Sequence, residues 1–197
     1  MTVDRPITTA GQLKALYGAP IPQAQGKVLD HLNAPYQAFV AHAPFVVVAT
    51  QGPRGLDCSP RGDTPGFVQV YDAKTLLLPD RTGNNRLDTL GNLLDDPRLA
   101  LLFLVPGVGE TLRVKGRGVI AQDDHLLARW ADPVPPHSVV VISVEQVYFQ
   151  RQRALARARL WDPAAQVSPG TLPTAEAMLA AVEGQKTAPD KTQDPGY

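Results

Sequence analysis

Thr75-Leu-Leu-Leu-Pro-Asp-Arg-Thr-Gly-Asn-Asn-Arg-Leu-Asp-Thr-Leu-Gly-Asn-Leu-Leu94 reads as a strand, a turn and a helix in one continuous run. Leu76, Leu77 and Leu78 are consecutive and apolar, the pattern of a buried strand. Apolar residues at Leu87, Leu90, Leu93 and Leu94 follow helical spacing and predict an amphipathic helix over 84–94. Between them Asp80, Arg81, Asn84, Asn85 and Arg86 crowd around Gly83. A chain reversal needs only a glycine and an asparagine. Two arginines and two asparagines at a helix start instead form a cradle for an anion, because free backbone N–H groups and the helix dipole both favour negative charge there.

Outward from this stretch the chain is mostly strand. Phe67–Tyr71 and Thr75–Leu78 make a hairpin about an Asp72–Lys74 turn. Upstream, Phe45–Thr50 is β-branched and continuous, so it is expected to be covered on both faces, and Leu56–Ser59 returns from a Gln51–Gly55 turn. Downstream lie Leu99–Val105, Glu110–Ala121 and Ser138–Phe149. Thr111, Arg113 and Lys115 share one face of the middle strand, and Leu112 and Val114 share the other. Six or so antiparallel strands with only two inserted helices, 84–94 and a short one from Asp123-Asp124 to Trp130, indicate a mainly β fold, a small closed barrel. No βαβ alternation supports a doubly wound nucleotide fold.

The barrel domain spans 44–163, with an N-terminal helical extension over 1–43 packed on it. That extension holds a helix opened by the capping box Thr9–Gln12 and stopped at Gly18, a second over Gln23–Leu32, and a third from Pro35 to His42. After a helix over Arg151–Leu160, the C-terminal extension 164–197 carries one short helix near Ala175–Val182. Its last dozen residues have the composition of a disordered tail.

Charge and cysteine content narrow the function. Lys+Arg and Asp+Glu balance at 19 each, which gives no pull toward nucleic acid or an acidic membrane. One cysteine, Cys58, excludes an internal disulfide and suits a reducing compartment. No apolar run reaches the roughly 20 residues of a membrane helix, and the N-terminus lacks a signal-peptide core. The expected location is the cytoplasm.

Other motifs carry little chemistry. Gly116-Arg-Gly118-Val-Ile-Ala121 matches a loose dinucleotide fingerprint but continues as strand and has proline at position 136, so its glycines serve a bend or a close backbone approach. Asp95-Asp96 and Asp123-Asp124 fit turn and cap duty. The four histidines have no metal-ligand spacing, so no metal site is expected. No Gly-x-Ser-x-Gly elbow is present, and Cys58 reads as an inert core thiol. Arg151, Arg153, Arg157 and Arg159 form a basic cluster, either surface-exposed or contacting a phosphorylated ligand.

Two segments remain, Cys58-Ser-Pro-Arg-Gly-Asp63 and Pro79-Asp-Arg-Thr-Gly-Asn-Asn-Arg86. Each places arginines at a strand end, and the planar guanidinium fork suits a phosphate. Charge-assisted hydrogen bonds contribute roughly 1.5–3 kcal/mol each. Three arginines could therefore supply much of the roughly 8 kcal/mol behind micromolar affinity.

These segments, with Glu110-Thr-Leu-Arg-Val-Lys-Gly116, resemble the pyridoxamine 5′-phosphate oxidase-like split-barrel flavoproteins, in particular a bacterial branch of FMN-dependent enzymes. The resemblance covers roughly residues 30–163 and implies an antiparallel, Greek-key split barrel with FMN between two protomers of a homodimer. It implies an FMN-dependent oxidoreductase acting on a small molecule, with neither nucleic acid nor membrane as partner. By position, Arg61, Arg81 and Arg86 would take the phosphate, helped by Asn84 and Asn85. Ser59, Asp63, Pro79 and Asp80 would line the rest of the cofactor, and Thr111 and Arg113 would approach the flavin from their strand. Trp161 matches a C-terminal segment that reaches the cofactor. No histidine follows His137, so the family's Arg-x-His substrate element is absent, and Gln150–Arg153 also departs from the branch. The resemblance names no catalytic residue. The same barrel also serves deazaflavin- and haem-using proteins and non-catalytic flavin-binding modules, which stand as alternatives.

Overall fold

The structure, a computed structural model, describes residues 3–19, 26–81, 83, 85–130 and 135–187. Its centre is a seven-stranded, wholly antiparallel sheet in the order β2-β1-β5-β6-β7-β4-β3. The strands are β1 (Phe45–Gly52), β2 (Gly55–Gly62), β3 (Gln69–Asp72), β4 (Thr75–Asp80), β5 (Arg98–Leu104), β6 (Thr111–Ala121) and β7 (Ser138–Gln150). β2 and β3 stand at the two ends of this order, so the barrel is split there rather than hydrogen-bonded all round.

β4 is buried on both faces, as its leucine run predicts. Leu76 and Leu78 join the main core with Val46, Val48, Phe103 and Ile142. Leu77 faces the other way, onto Val139 and Trp130. Trp130 closes the short helical segment after β6, whose first helix, Asp124–Leu127, is capped by the Asp123 side chain as expected. The indole Nε1 donates to the Phe67 carbonyl at 2.9 Å in a buried setting. Trp130→Phe leaves that carbonyl unpaired and is expected to cost about 1–3 kcal/mol, read as a lower denaturation midpoint at unchanged slope.

β1 differs from expectation. Val46, Val48 and Thr50 are buried, whereas Phe45, Val47 and Ala49 are only partly covered on the outer face. Cys58 is likewise exposed rather than in the core, because β2 is an end strand whose outward residues nothing covers. The Gly116 and Gly118 reading holds. A bulge falls between Lys115 and Gly116, and a Cβ on Gly116 would lie 2.2 Å from the Ser143 carbonyl oxygen.

Of the N-terminal helices, α1 (Ala10–Tyr17) has the full Thr9–Gln12 capping box but no buried residue. α2 (Ala34–His42) places Tyr36 and Val40 in the core and is capped by Asn33. The helix expected over Gln23–Leu32 falls in part on 23–25, outside the described residues. Its remainder is not helical, because Leu29 forms a β-bridge to Val147. Helix α3 (Asp88–Asp95) follows β4 and α4 is Asp124–Leu127; α5 (Arg153–Ala158) and α6 (Ala175–Thr187) complete the elements, and the expectation for the tail falls largely on 188–197, outside the described residues. Among the described residues no helix is long and apolar enough to cross a membrane.

Candidate functional site

A groove of about 790 Å³ lies between β2 and the end of β4, on the split side of the barrel. One wall is the inward face of β2, where strand alternation turns Asp57, Ser59 and Arg61 to the same side. The opposite wall is the end of β4, Pro79 and Asp80, with Arg81 beyond it and His137 and Ser138 beside it. Register explains that neighbour, since Asp80 pairs with Ser138 and its carbonyl accepts the His137 N–H at 2.9 Å. Gly83, Asn85, Arg86 and the first turn of α3 close the groove, and Phe67 and Pro79 give it apolar surface.

α3 is shorter than predicted, and its apolar spacing holds only in part: Leu93 joins the core and Leu90 packs against it. Leu87 and Leu94 are 56% and 78% exposed, whereas Thr89 and Asn92 are each 4% exposed. The helix lies over the β1–β2 hairpin, where Asn92 Nδ2 donates to Thr50 Oγ1 at 3.2 Å. Gly52 permits that approach, because a Cβ there would meet the Asn92 backbone Cα at 3.2 Å and its side chain closer still. Asn85 and Leu87 both hold left-handed φ values, 57° and 56°, to turn the chain into the helix. Among the described residues no side chain caps α3, whose N-cap is Leu87 and whose first turn lines the groove.

The arginines are already engaged. Arg81 Nε pairs with Asp63 Oδ2 at 3.0 Å, and Arg86 Nε with Asp88 Oδ2 at 2.8 Å. Arg61 donates instead to neutral acceptors, the Pro60 carbonyl at 2.9 Å and Thr89 Oγ1 at 3.2 Å. Thr89 Oγ1 in turn donates to Asp57 Oδ2 at 2.6 Å, and Ser59 Oγ donates to the same carboxylate at 2.9 Å. Burial pushes the Asp57 carboxyl up, but the hydrogen bonds from Thr89, Ser59 and the Cys58 N–H, with the nearby Arg61 charge, outweigh it and hold the group below its usual range. Asp80 goes the other way: burial raises it, against the opposing pull of Arg61 and His137. A carboxylate raised on folding costs stability while ionised, and that cost disappears as pH falls through the folded-state value. Asp80→Asn is therefore expected to raise the melting temperature at neutral pH and to lose that gain in acid, where Asp80 is already neutral. An equal gain at both pH values contradicts this assignment.

Of the residues singled out in the sequence, Ser59, Arg61, Asp63, Pro79, Asp80, Arg81, Asn85 and Arg86 meet in this groove. Asn84 lies outside the described residues. Thr111, Arg113 and Trp161 do not line the groove in the same chain. Thr111 and Arg113 stand on the outward face of β6, with Arg113 between Leu102 and Tyr148. Trp161 donates from Nε1 to the Val108 carbonyl at 2.8 Å in the β5–β6 connection. Asp57, Thr89 and His137 line the groove without having been singled out. Asp57 had a signal, since it sits two positions before Ser59 on one strand face. Among the described residues no cluster of His, Cys, Asp or Glu could hold a metal ion.

A sequence model of the pyridoxamine 5′-phosphate oxidase family matches residues 32–151. The chain belongs to that family. Several solved structures align with the chain. HupZ of Group A Streptococcus, 17% identical, aligns with a TM-score of 0.50 over 60% of this chain and 94% of its own. A Lactobacillus delbrueckii protein described as a candidate pyridoxamine 5′-phosphate oxidase, 21% identical, aligns at 0.48 over 61% of this chain and 95% of its own. General stress protein 26 of Bacillus anthracis, 14% identical, aligns at 0.43 over 58% and 93%. No curated protein matches the chain. The pyridoxamine 5′-phosphate oxidase match ends at Arg151, so it contains every groove residue named above and excludes Trp161.

Proposed function

We propose that this groove binds FMN by its phosphate and that the protein is a homodimeric FMN-dependent oxidoreductase acting on a small molecule. The observation that carries the reading is the convergence of Arg61, Arg81 and Arg86 with the uncapped start of α3 at one end of the groove. A phosphate dianion needs several directed donors, and guanidinium forks with a helix N-terminus supply them. Asn85 would add an amide, and Asp63 and Asp88 would hold two of the forks in reach. Phe67 and Pro79 provide flat apolar contact for a ring system, with the Ser59 hydroxyl and the Asp80 carboxyl at its polar edge. Bound FMN supplies the two-electron chemistry of such an enzyme.

The dimer rests on the outer sheet face. Across it Phe45 sits beside Leu104, Val47 between Pro60 and Leu102, and Ala49 between Cys58 and Ala100. A half-covered apolar face of this kind suits a second copy of the chain. Thr111 and Arg113 stand on that same face, so a partner's groove is where they would act, with Trp161 close behind through Val108. Cytoplasmic action is part of the same reading.

The test is an absorption spectrum after incubation with FMN and removal of free ligand. Retained flavin absorption is expected. A colourless protein refutes the reading, and a Soret band after haem addition, with no flavin retained, transfers the groove to haem. Turnover is scored by oxidation of the reduced bound flavin with candidate small-molecule acceptors.

A further inference from the structure

Arg61 is held unlike the other two arginines of the groove. The charges of Arg81 and Arg86 each meet a carboxylate directly. Among the described residues Arg61 makes no ion pair within 4.0 Å, and its guanidinium donates only to the Pro60 carbonyl and the Thr89 hydroxyl. A threonine hydroxyl has one hydrogen to donate and lone pairs to accept with. Here the hydrogen goes to Asp57 Oδ2 at 2.6 Å, which leaves the oxygen lone pairs turned toward Arg61 Nη2 at 3.2 Å. Asp57 is itself fixed by the Ser59 hydroxyl, at 3.0 and 2.9 Å to its two oxygens. The chain Ser59–Asp57–Thr89–Arg61 therefore has a single direction of donation at the Thr89 link. Thr89 is buried on α3, whereas Asp57 and Arg61 stand two positions from Ser59 on β2.

Building on the FMN reading above, we propose that Thr89 and Asp57 are positioning residues that orient the Arg61 guanidinium and keep its charge available to the ligand's phosphate. Asp57 and Asp80 act on that charge only through space, whereas a direct carboxylate partner would occupy the position against the guanidinium before the ligand arrived. One hydroxyl interposed between them fixes the fork at low rotamer entropy while the nearest ion-pairing position stays open to phosphate. Arg61 is thus the preorganised anchor of the groove. Arg81 and Arg86 must share their forks between aspartates and ligand.

The experiment is a double-mutant cycle on FMN affinity, read by quenching of flavin fluorescence, with melting temperatures recorded in parallel. Thr89→Val keeps the shape and removes the hydroxyl, and Thr89→Ser restores it. In the Arg61 background T89V is expected to weaken FMN binding about tenfold, with T89S within about twofold of the unaltered protein. In the Arg61→Ala background T89V is expected to change affinity by no more than about twofold, because its effect passes through Arg61. If T89V fails to fold, Asp57→Asn measures the same coupling from the far end of the chain. An equal loss in both backgrounds, or no loss in either, overturns the positioning role while the FMN reading stands. Absence of FMN binding by the unaltered protein overturns both.

Discussion

Arg61→Ala is expected to weaken FMN binding about a hundredfold, with little change in melting temperature. The affinity loss follows from the geometry of the groove. Arg61 presents a guanidinium whose charge no described carboxylate pairs within 4.0 Å, and charge-assisted bonds to a phosphate are among the strong ones. Two such bonds, at roughly 1.5 kcal/mol each, already make a hundredfold. Stability changes little because the residue is half-buried, its hydrogen-bond partners are the Pro60 carbonyl and a hydroxyl that stays bonded to Asp57, and its pull on Asp57 and Asp80 acts through space rather than by direct pairing. Arg81→Ala and Arg86→Ala are each expected to cost less, about tenfold, since their charges are divided with Asp63 and Asp88. A fluorescence titration of the three variants gives the ranking. If Arg61→Ala binds FMN within threefold of the unaltered protein, on the order of 0.7 kcal/mol, the phosphate is not at Arg61.

Gly116→Ala carries the largest expected effect on stability, about 3 kcal/mol, or a fall of roughly 6–12 °C in melting temperature for a chain of this size. The added methyl would sit 2.2 Å from the Ser143 carbonyl oxygen and 3.1 Å from its carbon. Both atoms are backbone of the neighbouring strand, so no rotamer change relieves the clash and the β6–β7 ladder must shift at its bulge. That ladder holds together the two longest strands and the wall that brings His137 and Ser138 to the groove. Gly184→Ala in α6 is the control, because a methyl there meets nothing within 4 Å. A melting temperature for Gly116→Ala equal to that of the control contradicts the close approach.

Much of this was legible in the sequence where burial is apolar and local. The β4 leucine run reads correctly because both of its faces are covered by apolar residues. The Asp123 cap and the Thr9–Gln12 box are local chemistry and appear where their spacing puts them. The Arg61, Arg81 and Arg86 convergence was legible because all three flank one hairpin. α3 was only partly legible, for a physical reason. Leu90 and Leu93 pack on the core as the apolar spacing predicts, but hydrogen bonds from Thr89 to Asp57 and from Asn92 to Thr50 also hold the buried side. Leu87, at the N-cap, and Leu94 are left outside. His137 was beyond reach for a different reason, since only the β4–β7 register brings it to Asp80 across a long stretch of chain. Cys58 and the outer face of β1 were taken as core because an apolar, β-branched run reads the same whether one face of the strand is covered or both.

The central claim is that the groove recognises an anion, specifically the phosphate of a flavin. Comparing the affinities of FMN and riboflavin for the unaltered protein tests it most directly, since the two ligands differ only in that phosphate. FMN is expected to bind at least about a hundredfold more tightly, since about 3 kcal/mol is expected from Arg61 alone and Arg81, Arg86 and the α3 N-terminus add to it. Equal affinities would mean that Arg61, Arg81 and Arg86 do not hold a phosphate, and would contradict the account.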